Sequence, residues 1–209
     1  MNDHSPLPPG VPIPGRKVAQ VVEGARKVFL RDGFEGASVD AIAKEAGVSK
    51  ATLYSYFADK RLLFLHVGQC ECARQSEVAE HSIDEDAPAA EVLRRSGTLM
   101  MDFITSDFGQ RLFSICVAEG ERFPDLAREF YESGPMVMRN MMIDFLRKAV
   151  ERGELRIDDY VMAAEQFHEL CGANIFHKLI FGMGTPSADE RAYVVDQAVE
   201  TFLARYGVR

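Results

Sequence analysis

Cysteine is scarce in this 209-residue chain, with only Cys70, Cys72, Cys116 and Cys171. So few thiols, at irregular spacing, do not make a disulfide framework, and they read as buried or surface thiols. Long apolar runs are missing as well. The most apolar stretch, from Ala173 to Met183, is interrupted by His177, Lys178 and Gly182, whereas a membrane span needs roughly 20 consecutive apolar residues. A membrane partner is therefore not expected. Proline is thin after the first fifteen residues, which hold Pro6, Pro8, Pro9, Pro12 and Pro14 of the nine in the chain. That opening has neither a basic start nor an apolar core, so it reads as a disordered tail over 1–15 rather than an export signal, and a cytoplasmic protein is expected.

Excess positive charge is absent too, since the chain carries a formal net charge of −8. The balance is uneven along the sequence. Residues 1–67 hold 9 Lys/Arg against 7 Asp/Glu, and residues 68–209 hold 15 against 25. Overall acidity thus leaves nucleic-acid binding open for the N-terminal part, without itself suggesting it.

What is present is helical periodicity. After residue 15 no run alternates like a strand over a useful length, so the expected fold is all-α, with 47% apolar residues to fill its core. A first helix over about 16–32 puts Val18, Val21, Val22, Ala25, Val28 and Phe29 on one stripe and stops at Gly33. Ser38 is a good N-cap for a second, with Asp40 in its first turn. Gly47, Val48 and Ser49 then lead into a short third helix. There Leu53 and Phe57 share one face while Ala51, Thr52 and Ser55 share the other. Two short helices around a glycine turn, the second with a small polar outer face, make a helix-turn-helix.

In order, Gly33-Phe34, Ser38-Val39-Asp40-Ala41-Ile42-Ala43, Ala46-Gly47-Val48-Ser49, Leu53-Tyr54-Ser55-Tyr56-Phe57 and Lys60 resemble the DNA-binding domain of the TetR family over residues 16–66. The stretch from Ala118 to Pro135 and the run from Gly153 to Asp159 are similar to the C-terminal domain of the AefR-like subgroup. The resemblance implies a larger helical ligand-binding and dimerisation domain over 67–209. It also implies a homodimer that lays two recognition helices in successive major grooves of a palindromic double-stranded operator and leaves it when a small-molecule effector binds. Under that reading Ser38, Ser49, Lys50, Ala51, Thr52, Tyr54, Ser55, Tyr56 and Lys60 form the DNA-binding face. Thr52 is the first choice for reading a base, since a hydroxyl bonds base edges and a methyl meets thymine. Lys60 and the two tyrosines are placed on phosphates.

The C-terminal part is less specific. Helices are expected at 88–106, 108–120, 124–133, 135–152, 158–181 and from Ser187 to Gly207, the last opened by a capping box of Ser187 and Glu190. Flexible apolar side chains line adaptable pockets as well as cores, and the expected effector, a small apolar or aromatic molecule, is assigned to Phe103, Phe113, Met141, Phe145, Phe167, His168 and Asn174. The segment 158–181 is apolar on too many sides for one interior. Together with the final helix it is expected to build a dimer interface through Phe167, Cys171, Val195, Val199, Phe202 and Tyr206. Two other functions compete. One is a module of the same shape that binds proteins instead of an operator. The other is a helical metal enzyme, prompted by Glu165-x-x-His168. A di-metal bundle needs a second such pair, and the other histidines lack one. Cys70 and Cys72, two apart on a helix, diverge by about 200°. No cofactor, metal or enzyme activity is expected.

Overall fold

The computed structural model describes residues 15–82, 84, 86–121 and 124–208, apart from the side chains of 79, 80, 82, 119 and 126. The proline-rich tail lies outside this range except for Gly15. Among the described residues the regular structure is helical. The chain divides into two compact units, the first ending at Gly68 and the second starting at Gln69.

In the first unit, α1 (Arg16–Gly36), α2 (Val39–Glu45), α3 (Lys50–Tyr56) and the start of α4 (Lys60–Ser82) enclose a small core. The α1 stripe is buried at Val18, Val21, Ala25, Val28 and Phe29, Ile42, Ala43, Leu53, Phe57 and Phe64 are buried too, and Phe29 meets Phe64 edge-on. Gly33 breaks the helix with φ 69°, a left-handed turn that glycine adopts without steric cost, and one more helical turn follows it. Gly24 has a different reason. A Cβ there would lie 2.7 Å from the Ala46 backbone nitrogen and side chain, so only a hydrogen at this position lets α1 and α2 pack this closely.

The second unit comprises the rest of α4, α5 (Ala89–Thr105), α6 (Asp107–Glu119), α7 (Pro124–Ser133), α8 (Pro135–Glu151), α9 (Tyr160–Cys171), α10 (Ile175–Ile180) and α11 (Ala188–Tyr206). One core joins α5, α8, α9, α10 and α11. The expected single helix over 158–181 is two helices. Gly172 and Asn174, the latter left-handed at φ 61°, turn the chain between α9 and α10. The turn distributes the apolar circumference over two directions, which removes the need for one helix buried on every side. The capping box is half realised: Ser187 Oγ accepts the Glu190 N–H at 3.1 Å, while the Glu190 carboxylate pairs with Lys178 of α10. At the chain end, Arg156 N–H donates to Tyr206 O at 2.7 Å and Val208 N–H to Glu154 O at 3.0 Å, fastening α11 to the α8–α9 connection.

Candidate nucleic-acid interface

The helix-turn-helix is assembled by local bonds. Ser38 Oγ accepts the Ala41 N–H at 3.1 Å and Ser49 Oγ accepts the Thr52 N–H at 3.0 Å, so each serine satisfies a backbone donor at a helix start. Each hydroxyl keeps its own proton for another acceptor. Gly47 turns the chain at φ 64°, and Val48 N–H returns to Ala43 O at 3.0 Å. Leu53 and Phe57 are then drawn into the core while Lys50, Ala51, Tyr54 and Ser55 face solvent. Thr52 and Tyr56 are half-buried. The Thr52 hydroxyl is 2.8 Å from that of Ser49, and Ser55 Oγ donates to Thr52 O at 2.6 Å. Lys50 pairs with Asp40 across the turn, both side chains well exposed. Such a pair contributes about 0–1 kcal/mol and leaves the ammonium free to exchange partners.

Lys60 does not share this face's freedom. Its ammonium donates to Phe34 O at 2.8 Å and Ala37 O at 3.1 Å and sits 4.4 Å from the Phe34 ring centroid. The carbonyls at the end of α1 lack helical partners, and a cation is the group that suits them. The sequence motif suggested phosphate; the folded chain places Lys60 on its own backbone.

In the second unit the residues singled out for an effector differ in exposure. Phe145 and Phe167 are integral to the core, Phe113 and Asn174 face solvent, and Phe103, Met141 and His168 are half-buried. Asn174 is part of the α9–α10 turn. The His168 ring stacks on Phe176 at 5.9 Å. Burial lowers the pKa of this imidazole, with Glu169 and Glu165 pulling the other way. Glu165 in turn pairs with Arg139 at 3.1 Å, and the described residues contain no group of three or more His, Cys, Asp or Glu suited to a metal ion.

A different set converges. Ser76 and Cys72 of α4 are buried; Ser76 Oγ lies 3.5 Å from Met138 Sδ of α8, and a Cβ on Gly134 would lie 3.2 Å from Cys72 Sγ. Burial raises the Cys72 thiol to about 11 and the Cys116 thiol of α6 to about 12, with Cys72 adding to the latter. Met138 is only half-buried, as are Met136, Met141 and Met142 on the same helix. Ser76 and the thiols carried no sequence signal, because what marks them is α4, α6 and α8 meeting.

The proposed interface set is corrected more sharply. Phe167, Cys171, Val195, Val199, Phe202 and Tyr206 are all buried inside one subunit. A Cβ on Gly97 of α5 would touch Val195 at 3.0 Å, Cys171 at 3.1 Å and Phe167 at 3.5 Å. Phe202 packs edge-on against Phe167 at 5.5 Å, and Tyr206 Oη donates to Gln166 at 2.6 Å. The α5 helix satisfies the stripe that the apolar pattern alone offers equally to a second subunit. Apolar side chains that do remain outside include Phe113 and Val117 on α6, Ile180 on α10, Phe181 (73% exposed) and Met183 (72%) after it, and Tyr193 on α11, besides Val78, Tyr131, Val161, Met162 and Val208. Besides the Lys178–Glu190 pair between α10 and α11, further polar contacts link these elements. Gln110 of α6 donates to Thr185 Oγ1 at 3.1 Å, and Arg191 of α11 donates to Pro186 O at 3.0 Å.

No helix among the described residues is long and apolar enough to cross a membrane. Comparison with known proteins adds the following. Residues 21–67 match the model of bacterial regulatory proteins of the TetR family, and residues 91–208 match that of the C-terminal domain of AefR-like transcriptional repressors. The repressor AcnR of Corynebacterium diphtheriae is 37% identical over 67 residues, which is 32% of this chain and 35% of that protein; the similarity to this curated relative thus spans about a third of its length. Among solved structures, a regulator from Mesorhizobium loti is 27% identical with a TM-score of 0.79, the match covering 92% of this chain and 98% of that one. The flavonoid-responsive regulator FrrA is 32% identical with a TM-score of 0.64, the match covering 94% of this chain and 100% of that one. With one family model matching its N-terminal helices and another spanning more than half its length, the chain belongs to the TetR family of bacterial transcriptional regulators.

Proposed function

We propose that this protein is a homodimeric repressor that binds a palindromic operator through α3 and is released by a small aromatic effector. The observation that carries the reading is the outer face of α3. Its first turn presents Lys50, Ala51 and Thr52, with Tyr54 and Ser55 beyond, on a helix held from behind by Leu53 and Phe57. Small side chains let the helix approach base edges, Thr52 and Ser55 offer hydroxyls, and Lys50, Tyr54, Tyr56 and the cap hydroxyls of Ser38 and Ser49 suit phosphate oxygens. Fluorescence anisotropy with DNA from upstream of the protein's own gene, against a scrambled duplex, tests it. Binding at least 10³-fold tighter to one site is the expected result. Equal affinity for both duplexes rejects operator recognition and favours a module that acts on proteins.

Reading two half-sites needs two heads. Their dimer face is assigned to the exposed apolar group of Phe113, Val117, Ile180, Phe181, Met183 and Tyr193. Residues 179–186 and the α6 positions 110, 113, 114 and 117 are uncharged, so two copies of a chain with net charge −8 meet there with least repulsion. Phe181→Asp with Met183→Asp should give a folded monomer in sedimentation. A double variant that stays dimeric moves the interface elsewhere.

The effector is assigned to the region of Cys72, Ser76, Cys116 and Met138, where weakly polar groups and half-buried methionines suit a flat apolar molecule. The response of FrrA to flavonoids supports an aromatic class. Release requires that operator and effector weaken each other's binding by the same factor. Calorimetry of a flavonoid with and without operator reads that factor, and equal affinities in the two titrations would remove the induction mechanism.

A further inference from the structure

Lys60 is the first residue of α4, and it reaches back 26 and 23 positions to the corner that joins α1 to α2. One of its two acceptors, Ala37 O, belongs to the residue directly before Ser38, whose hydroxyl starts α2. One helical turn further along α4, Phe64 meets the same corner from the same side, edge-on to Phe34 at 5.1 Å and to Phe29 at 4.8 Å. Positions 60 and 64 thus form a two-part grip, polar and then apolar, on the residues from which α2 and α3 are launched. Just past the other end of α3, α4 opens on a cap of its own. The Asp59 carboxylate, three residues after α3, accepts the N–H groups of Arg61 and Leu62 at 2.8 and 2.9 Å.

We propose that Lys60 is a positioning residue. By holding the Phe34 and Ala37 carbonyls it fixes the start of α2 against α4, so that α3 moves with α4 as one body. The proposal rests on the operator-binding reading above, and it gives Lys60 a role other than the phosphate contact that the sequence motif implies. Two of three ammonium protons are engaged on carbonyls and the ammonium itself lies over the Phe34 ring. Removing the ammonium leaves two partly buried carbonyls without donors, and the corner then samples other placements. The apparent dissociation constant rises by the inverse of the fraction of heads still correctly placed, so a fraction of about one tenth weakens operator binding about tenfold.

The test is Lys60→Met, which keeps the stem and loses the donors, beside Lys60→Arg, both in the full-length protein. Operator and scrambled DNA are titrated between 50 and 200 mM salt. A positioning residue lowers operator affinity about tenfold with little change on scrambled DNA and an unchanged salt slope, and Arg does not restore binding because its planar fork cannot take the place of the ammonium. A phosphate ligand lowers affinity equally on both DNAs, reduces the slope by about 0.9 per contact, and is rescued by Arg; that outcome overturns the proposal. Amide hydrogen exchange without DNA separates this question from operator binding itself. Faster exchange at Ala37 to Ala41 in Lys60→Met supports the positioning role even if no operator is found, and unchanged exchange there rejects it.

Discussion

The two units keep their important side chains in place over different distances along the chain. In the first, the hydroxyls of Ser38, Ser49 and Ser55 bond backbone groups three residues away. In the second, local caps such as Ser187 on Glu190 are joined by distant bonds: Glu154 reaches Ala89, Arg94 reaches Asp196 and Gln110 reaches Thr185, pairs separated by 65, 102 and 75 positions. Local bonds let a short segment settle its own shape, whereas distant ones make each surface depend on which helix arrives opposite. Lys60 reaches further than these serines in the first unit: its partners lie 26 and 23 positions back, on backbone carbonyls, where the motif implies a phosphate.

The strongest way to break this contrast is Phe202→Glu. The side chain is 1% exposed and packed on Phe167 and Tyr206, so a carboxylate there should cost more than about 4 kcal/mol and unfold the second unit. Circular dichroism during heating measures it. A well-folded monomer would instead return Phe202 to the subunit interface.

Gly24→Val comes next, at about 2–3 kcal/mol, because a new Cβ collides with the Ala46 backbone and not with a side chain able to move aside. Hydrogen exchange should show α1 to α3 opening while α5, α9 and α11 keep their protection. Uniform loss across both units would mean that they do not melt separately.

Thr52→Val sharpens the account of the head. It removes a hydroxyl that bonds Ser49 and that the operator-binding reading assigns to a base, and is expected to cost about 1–3 kcal/mol on the operator with relaxed preference at one base pair per half-site. An equal loss on scrambled DNA would place Thr52 outside base reading.

The smallest effect is expected for Glu154→Gln. The Glu154 carboxylate accepts the Ala89 N–H at 2.6 Å, standing in for a cap at α5, where Pro88 supplies no side-chain bond. That bond, followed by Arg152, holds its pKa below the usual carboxylate value. A lowered folded-state pKa means stability that is present above the unfolded value and lost as pH falls through the folded one. Wild type should therefore exceed the variant by about 1 kcal/mol at pH 7, and the gap should close in acid as Glu154 takes up its proton. Denaturant titrations at pH 7 and pH 3 would show it, and a gap that persists undiminished at pH 3 would assign the difference to another cause.

Much of the head was legible because its signals are local: a serine cap, a glycine with φ above zero, an apolar spacing of four between Leu53 and Phe57. Gly24 was missed, since nothing near it in sequence announces that Ala46 will approach. In the second unit the helices themselves were legible from periodicity and from prolines at their starts, as at Pro124 and Pro135. The break at Asn174 was not, because an asparagine in the left-handed region looks like any other polar residue in a helical pattern.

The amino-acid sequence by itself determined the all-helical character, the helix-turn-helix and the stripe Val195, Val199, Phe202 and Tyr206. Each follows from backbone caps and a 3.6-residue period, which act within a few turns. Tertiary structure decided which apolar stripes became core and which stayed outside. An apolar side chain seeks removal from water without specifying a partner, so Phe202 is equally suited to its own subunit or another. Gly97 on α5, by leaving room for Phe167, Cys171 and Val195, settled that choice within the subunit, and left Phe181 and Met183 in the open.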